Sequence, residues 1–398
     1  MNRKLKVAVF NTQPPHLYFG GVERRIIETA KLLVNSVDMT IYSGTKKGFN
    51  KTSEIDGATL VPCFSTDKLY PLDNWVFNRS ISKMVDSIKA DIYEAHTISG
   101  YKLLKTLKKR KNSKPFIHTV HGVLEDEYLQ SSKTVSPSLR MKMSNFFMRH
   151  LAKLEKQAAK QATLIVTVSR YSAQKIVQLY AVDETKIRVV PNGVDLQKFK
   201  PSEASGKVRD MVGGNYEYLV LFVGNLIPRK GLNFLIEAAK RVTKESRDTK
   251  FVVVGDGPLK NHLIQQSKEQ GVSDNFAFLG AVPEAMLHSL YNCADVFASP
   301  SIQEGQGISL LEAQASAKPV VAFNVTAITE VVKNKETGLL VEPDSNELAD
   351  AILSLLSNKA LREKMGRSGR EFVSNNFSWD ICAQKMLHVY SEASEHVD

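Results

Sequence analysis

Two glutamates, Glu304 and Glu312, stand in the run Ser299-Pro300-Ser301-Ile302-Gln303-Glu304-Gly305-Gln306-Gly307-Ile308-Ser309-Leu310-Leu311-Glu312-Ala313. Carboxylates accept hydrogen bonds from sugar or ribose hydroxyls. Between them, the amides around Gly305 and Gly307 and a helix opening at Ile308 can hold a diphosphate. The spacing puts Glu312 about two turns into that helix; the alternative is an ordinary exposed helix residue. A second run, Gly224-Asn225-Leu226-Ile227-Pro228-Arg229-Lys230-Gly231, carries a basic pair after an apolar stretch. It either sets the Lys230 ammonium on a phosphate, a charge-assisted contact worth about 1.5–3 kcal/mol, or forms a solvated basic loop. A third, Gly20-Gly21-Val22-Glu23-Arg24, precedes an amphipathic stretch and reads as a phosphate-binding turn or a plain tight turn. It lacks the G-x-G-x-x-G spacing, which argues against a nicotinamide or flavin enzyme.

These runs need a framework that ends strands beside helix starts. Short apolar runs at Lys6–Phe10, Met39–Tyr42, Ile92–Tyr93, Phe116–Val120 and Ala162–Ser169 alternate with helical stretches such as Gly21–Val34. The pattern restarts at Tyr218–Val223 and continues through Lys250–Val254, Phe276–Leu279, Val296–Ala298, Val320–Phe323 and Leu339–Val341, with helices at Leu232–Thr243 and Ile308–Ala315. Strands separated by helices pair in parallel, because the crossover takes a dozen or more residues. The sequence therefore predicts an α/β protein of two Rossmann-like, doubly wound domains. Val190-Pro191-Asn192-Gly193 reads as a turn, which places a hinge at 190–205.

A chain of 398 residues fits two such domains, and 43% apolar with 24% charged residues is ordinary globular composition. No apolar stretch approaches a membrane span, and Val7–Phe10 is too short for a signal-peptide core. Three widely spaced cysteines, Cys63, Cys293 and Cys382, fit a reducing cytoplasm. The net charge of +11 is uneven: residues 1–200 carry +16 and the remainder −5. A basic half suits nucleic acid, an anionic lipid surface or a phosphorylated substrate.

Taken together, GGVER (20–24), TVHG (119–122), VPNGVD (190–195), VGNLIPRKG (223–231), VVGDGP (253–258), FLGAVP (278–283), EGQGISLLEA (304–313) and TGLLVEP (337–343) resemble glycosyltransferase family 4 over nearly the whole chain. The resemblance implies the GT-B fold, with two Rossmann-like domains facing across a cleft. It assigns 1–190 plus 379–398 to the acceptor-side domain, because the terminal helix crosses back, and 200–378 to the donor-binding domain. It implies transfer from a nucleoside-diphosphate sugar with retention of configuration. Lys230 is similar to the family lysine on the donor diphosphate, Glu312 to the glutamate at the ribose hydroxyls, and Glu304 to the one at the sugar hydroxyls. His121 is similar to the histidine beside the transferred sugar. Gly20 and Gly21 match a loop that closes over the phosphates, and Asn225, Arg229, Gly305, Gly307 and Ile308 complete the donor set. Where this chain has Asn225 the family often has Arg, so one phosphate charge is missing unless Arg229 replaces it. Glu330 lacks the preceding Gly-Gly pair and is left out of the site, and His118 reads as structural.

Such a reaction must stabilise a sugar cation and a departing nucleoside diphosphate, and Lys230, loop amides and a helix dipole can do so without a metal. No Asp-x-Asp metal motif is present, and neither metal nor cofactor is expected. The rival readings are a nucleotide-sugar epimerase of the same fold and a degenerate nucleotide- or glycan-binding protein.

A helix opening at Ser136-Pro137 is expected to carry Leu139, Met143, Phe147, Leu151, Leu154 and Ala158 on one face and Lys142, Arg149, Lys153, Lys156 and Lys160 on another. A second basic cluster spans Lys102 to Lys114. Either these dock on an anionic membrane, where a lipid-linked acceptor enters, or the apolar stripe is core and the basic face solvated. Nucleic acid fits less well, since the clusters lack interleaved aromatics. The expected setting is cytoplasmic, peripheral on the inner membrane face, in cell-surface glycan or polysaccharide assembly.

Overall fold

The computed structural model describes residues 3–395 except 19, 68–70, 132–138, 204–205 and 214–215. The chain divides into two compact units, Met1–Asn192 with Trp379–Asp398, and Gly193–Ser378.

The first unit is built on strands β1 (Leu5–Asn11), β2 (Val37–Gly44), β3 (Ser53–Ile55), β4 (Ala58–Cys63), β5 (Ile92–His96), β6 (Phe116–Val120), β7 (Leu164–Thr167) and β8 (Ile187–Val189), in the order β3-β4-β2-β1-β5-β6-β7-β8. All pairs are parallel except β3 with β4. Both faces of the sheet are covered, which is why its strands are nearly unbroken apolar runs. In β1, Ala8 and Phe10 enter one core with Phe77, Leu103 and Ile165, while Val7 and Val9 enter the other with Ile26, Ile92 and Ile117. The terminal helix Trp379–Glu395 completes the second core with Trp379, Cys382, Met386, Val389 and Tyr390. Apolar burial, not the chain order, thus assigns the last residues to the first unit.

Strands β3, β4 and β8 were not legible as apolar runs. Ser53–Ile55 and Ile187–Val189 are three residues each, and β4 contains Pro62.

The second unit carries β9 (Tyr218–Val223), β10 (Thr249–Val254), β11 (Phe276–Gly280), β12 (Val296–Ser299), β13 (Val320–Phe323) and β14 (Gly338–Val341) in the order β11-β10-β9-β12-β13-β14, every pair parallel. Its two cores again lie on opposite sheet faces, Val220 and Phe222 in one, Leu219 and Leu221 in the other.

In each sheet the strand order reverses once, between β1 and β5 and between β9 and β12. At such a point neighbouring loops leave in opposite directions and open a crevice at the carboxyl ends of the strands. The Gly20–Gly21 segment follows β1, the Lys230 loop follows β9, and the Glu304 loop follows β12.

The long helix of the first unit spans Leu139–Gln161. Its expected opening at Ser136-Pro137 lies outside the described residues, as do the side chains of Leu139, Lys142 and Met143. Leu151 and Ala158 are buried, which fits the core alternative for this stripe, but Phe147 is exposed with Phe146 beside it. Lys156 is half-buried and donates to the Leu179 carbonyl at 2.6 Å, so it is not part of a free basic face.

This helix also buries Glu155. Its Oε2 accepts the Tyr180 hydroxyl and the Leu124 N–H, the latter at 3.0 Å. Burial pushes its carboxyl up to about 8, the Tyr180 and Leu124 hydrogen bonds opposing. Between 4.5 and about 8, therefore, the folded chain holds a proton here that the unfolded chain has released. Stability from this group is full below 4.5 and falls as pH rises through that window, by up to about 1.4 kcal/mol per pH unit. Glu155→Gln, neutral throughout, should flatten the fall in melting temperature between pH 5 and pH 8. Parallel curves for variant and wild type would refute the assignment.

Candidate functional site

In the second unit the loops after β9 and β12 are laced together. Ile302 N–H donates to the Arg229 carbonyl at 2.9 Å. Gly231, at φ +62°, ends the turn Pro228–Lys230 and opens the helix Leu232–Glu245. A Cβ on it would stand 1.9 Å from the Pro300 carbonyl oxygen, so only glycine permits this approach.

The lacing concentrates charge on Glu304, which is 5% exposed. Lys230 Nζ is ion-paired with Glu304 Oε1. Arg229 Nη1 donates to the Gln303 carbonyl at 3.1 Å and lies 3.4 Å from Glu304 Oε2. Ser301 Oγ donates to Glu304 Oε1 at 3.0 Å, and Glu304 N–H donates to Thr326 Oγ1 at 3.2 Å. Burial pushes the Glu304 carboxyl up, but the charges of Lys230 and Arg229 and the hydrogen bonds from Lys230 and Ser301 outweigh it. The group is held below the usual carboxylate range. Arg229 is thus aimed at the 303–304 loop, while Asn225 is exposed.

Three residues on, Gly307 caps the helix Ile308–Ala315 with no side-chain hydrogen bond, and Gly305 lies in the loop between. Glu312 is the fifth residue of this helix, about one turn in and not two. It is also not exposed: it is 3% accessible, and the Tyr291 hydroxyl donates to its Oε2 at 2.8 Å. A buried carboxylate held by a tyrosine is a built feature, because an unpartnered one is costly to bury. Thr326 and Tyr291 escaped the sequence reading, since hydroxyl residues distant in sequence carry no local signal, while Ser301 sits only three residues before Glu304 and was given no role from sequence. Glu330 lies in the short helix Ile328–Val331.

In the first unit, Gly20 caps the helix Gly21–Leu33 without a side-chain bond. Glu23, in its first turn, is buried and accepts from Asn11 Nδ2 at 3.0 Å; burial pushes its carboxyl up. His121 follows β6, and its Nε2 lies 2.8 Å from Nδ1 of His96, the last residue of β5. Burial pushes all three neighbouring imidazoles down: His96 to about 4, His118 to about 3, and His121 well below its ordinary value, with His96 and Arg25 adding to the effect on His121. His118 is buried and its Nε2 has no hydrogen-bond partner. Neither Glu94 nor His96 was singled out from sequence. The alternation Glu94-Ala95-His96 in a strand, which sets both polar side chains on one face, was the available signal.

The basic surface of the first unit differs from expectation in one respect. Trp75 is 49% exposed with Arg79 and Lys102 each 5.8 Å from its ring centroid, and Leu72 is also exposed. Arg79 is one turn from Trp75 on the same helix, and Lys102, far away in sequence, reaches the ring because the helices Leu72–Lys83 and Tyr101–Lys109 pack together. Among the described residues no helix is long and apolar enough to cross a membrane, and no group of three or more His, Cys, Asp or Glu is placed to hold a metal ion.

Residues 19–198 match the model of Glycosyltransferase Family 4, and residues 214–372 that of Glycosyl transferases group 1. The D-inositol 3-phosphate glycosyltransferase of Actinosynnema mirum is 30% identical over 292 residues, covering 71% of this chain and 67% of that protein. The chain belongs to glycosyltransferase family 4. The UDP-Gal:alpha-D-GlcNAc-diphosphoundecaprenol alpha-1,3-galactosyltransferase of Escherichia coli is 28% identical over 399 residues, 97% of each chain. Several other relatives are matched over only 54% to 66% of their length. Alr3699/HepE of Anabaena, crystallised with UDP-glucose, superposes with a TM-score of 0.76 at 20% identity over 98% of this chain and 100% of that one. That likeness shows the fold, which is the α/β GT-B fold with two Rossmann-like units. The family-4 chain thus presents a charged cluster in its second unit and a histidine pair in its first.

Proposed function

We propose that this family-4 protein transfers a hexosyl group from a nucleoside-diphosphate sugar to a hydroxyl of a lipid-linked glycan, with retention of configuration and without a metal. One observation carries the reading. Lys230, Arg229 and Glu304 converge at the strand-order reversal of the second sheet, beside a helix start with no side-chain cap. A diphosphate arriving there meets cations, amides and a helix dipole. Lys230 would leave Glu304 for the diphosphate, freeing the carboxylate for sugar hydroxyls. Glu312 would take the ribose hydroxyls, with Gly305, Gly307 and Ile308 offering backbone and Asn225 and Arg229 flanking. In the first unit, His121 would accept a hydroxyl hydrogen bond, and the Gly20 and Gly21 backbone before a helix would suit a phosphate. A donor phosphate oxygen takes the acceptor proton as the glycosidic bond to the diphosphate breaks and the new one forms on the same face.

The donor and acceptor classes are supported by the names of similar proteins: UDP-glucose in the Anabaena structure, and UDP-Gal with a diphosphoundecaprenol-linked sugar in the E. coli relative. The exposed Trp75, Leu72 and Phe146 with Arg79 and Lys102 suit an anionic bilayer surface, and a lipid-linked acceptor of that class supports the reading of an inner-face cytoplasmic setting in surface-glycan assembly.

The test is UDP release from UDP-galactose with and without a GlcNAc-diphosphate polyprenol acceptor in anionic vesicles. Acceptor-dependent release giving an α-linked product, insensitive to EDTA, is expected. Donor isomerisation without acceptor would favour an epimerase, a β-linked product would end the retaining mechanism, and loss in EDTA would end metal independence. Equal sedimentation with anionic and neutral vesicles would remove the electrostatic part of membrane docking.

A further inference from the structure

His121 does not stand alone. Its Nε2 is 2.8 Å from His96 Nδ1, with ring centroids 5.1 Å apart and planes 27° apart, so the two imidazoles meet nearly edge to edge along the N–N line. On the far side of His96, Nε2 lies 3.4 Å from Glu94 Oε1. Glu94 is 2% exposed and well supplied with donors: Thr119 Oγ1 at 2.6 Å on Oε1, and the Tyr390 hydroxyl on Oε2. Arg25, 1% exposed, lines with Glu94, His96 and Tyr390 a cavity of about 10 Å³, so a buried cation stands near the carboxylate.

The proton positions in this row follow from donor and acceptor counting. Glu94 Oε1 stands 3.4 Å from His96 Nε2, too long for a strong hydrogen bond, but a carboxylate oxygen there faces an N–H more favourably than a lone pair, which puts the His96 proton on Nε2. A neutral imidazole carries one N–H, which leaves His96 Nδ1 as an acceptor. His121 must then place its own N–H on Nε2, facing His96. Its Nδ1 is left bare. Reversing the row would point two lone pairs at each other across 3.4 Å in the interior, where mispaired polar groups are costly. Burial keeps both rings neutral, so each carries a single N–H.

We infer that Glu94 and His96 are positioning residues that hold His121 in the Nε2–H tautomer, so that its Nδ1 accepts a hydrogen bond from a substrate hydroxyl. This rests on the proposed role of His121 and adds two residues to it. A third, Tyr390, ties the tautomer to the C-terminal helix through Glu94. The consequence is directional: the site receives a hydroxyl proton donor and rejects a carbonyl or ether at the same place.

Long-range proton–nitrogen NMR of the histidine rings in the full-length chain tests this, with His121 assigned by loss of its signals in His121→Ala. The Nε2–H tautomer is expected in the wild type, and Nδ1–H there overturns the inference without any variant. Glu94→Gln, whose amide can donate towards His96, should mix or invert the tautomers. It should also lower kcat with UDP-galactose on the order of 10²-fold while leaving KM for the donor within about twofold. Glu94→Gln with unchanged tautomer and unchanged kcat overturns the relay. His121→Ala at wild-type turnover instead overturns the role given to His121, while the spectrum still decides the tautomer.

Discussion

Lys230→Ala is expected to lower turnover of UDP-galactose by about 10²–10³-fold, the usual effect of removing one preorganised charge or donor from a developing anion. The same change should cost stability for a separate reason. Glu304 is 5% exposed, and its ammonium partner offsets the penalty of burying a carboxylate. Without Lys230, Arg229 and the Ser301 hydroxyl remain on that side chain among the described residues. Removing one member of such a pair is costly because the other is left uncompensated. Glu304 keeps its native charge through those cations, so its contribution is present above the ordinary carboxyl range and lost as pH falls through its lowered value. The two effects separate in a double variant. Lys230→Ala with Glu304→Gln should regain melting temperature, since no buried charge is orphaned, and should regain no turnover. Wild-type turnover in Lys230→Ala would refute the donor site proposed here. A double variant no more stable than the single would refute the electrostatic account of the pair.

Gly231→Ala should be the most destabilising single methyl in this loop. Residue 231 sits at φ +62°, where a side chain costs about 1–2 kcal/mol. Its Cβ would lie 1.9 Å from the Pro300 carbonyl oxygen, a backbone atom that no rotamer change can remove. The two costs together reach at least about 3 kcal/mol, among the larger effects of point changes. Gly271 is the control, since it sits at φ +70° and a Cβ there would meet nothing within 4 Å. Gly271→Ala should cost only the backbone term. Equal losses of melting temperature for the two variants would show that the Pro300 approach contributes nothing. Because Gly231 joins the loops that carry Lys230 and Glu304, its alanine variant should also lose the thermal shift produced by UDP; Gly271→Ala should retain it.

The sequence by itself determined most strands of both units, β3, β4 and β8 excepted, and the helix starts at Gly21, Leu232 and Ile308. A strand buried on both faces is apolar at most positions, so Tyr218–Val223 and Thr249–Val254 announce themselves locally through their Val, Leu and Phe runs, and the glycine at 307 marks where the helix Ile308–Ala315 opens. It also brought Lys230, Glu304 and Glu312 into one motif set. What it did not contain was who touches whom. Lys230 meets Glu304 across 74 residues, Tyr390 meets Glu94 across 296, and His121 meets His96 across 25, each through strand order and helix packing. Burial of Glu312 against Tyr291, the aim of Arg229 at the Gln303 carbonyl and the row from Glu94 to His121 were decided the same way. Local periodicity records only whether a side chain faces inward. Charge pairing, tautomer and approach distance depend on which other strand arrives beside it, and that only the folded sheet decides.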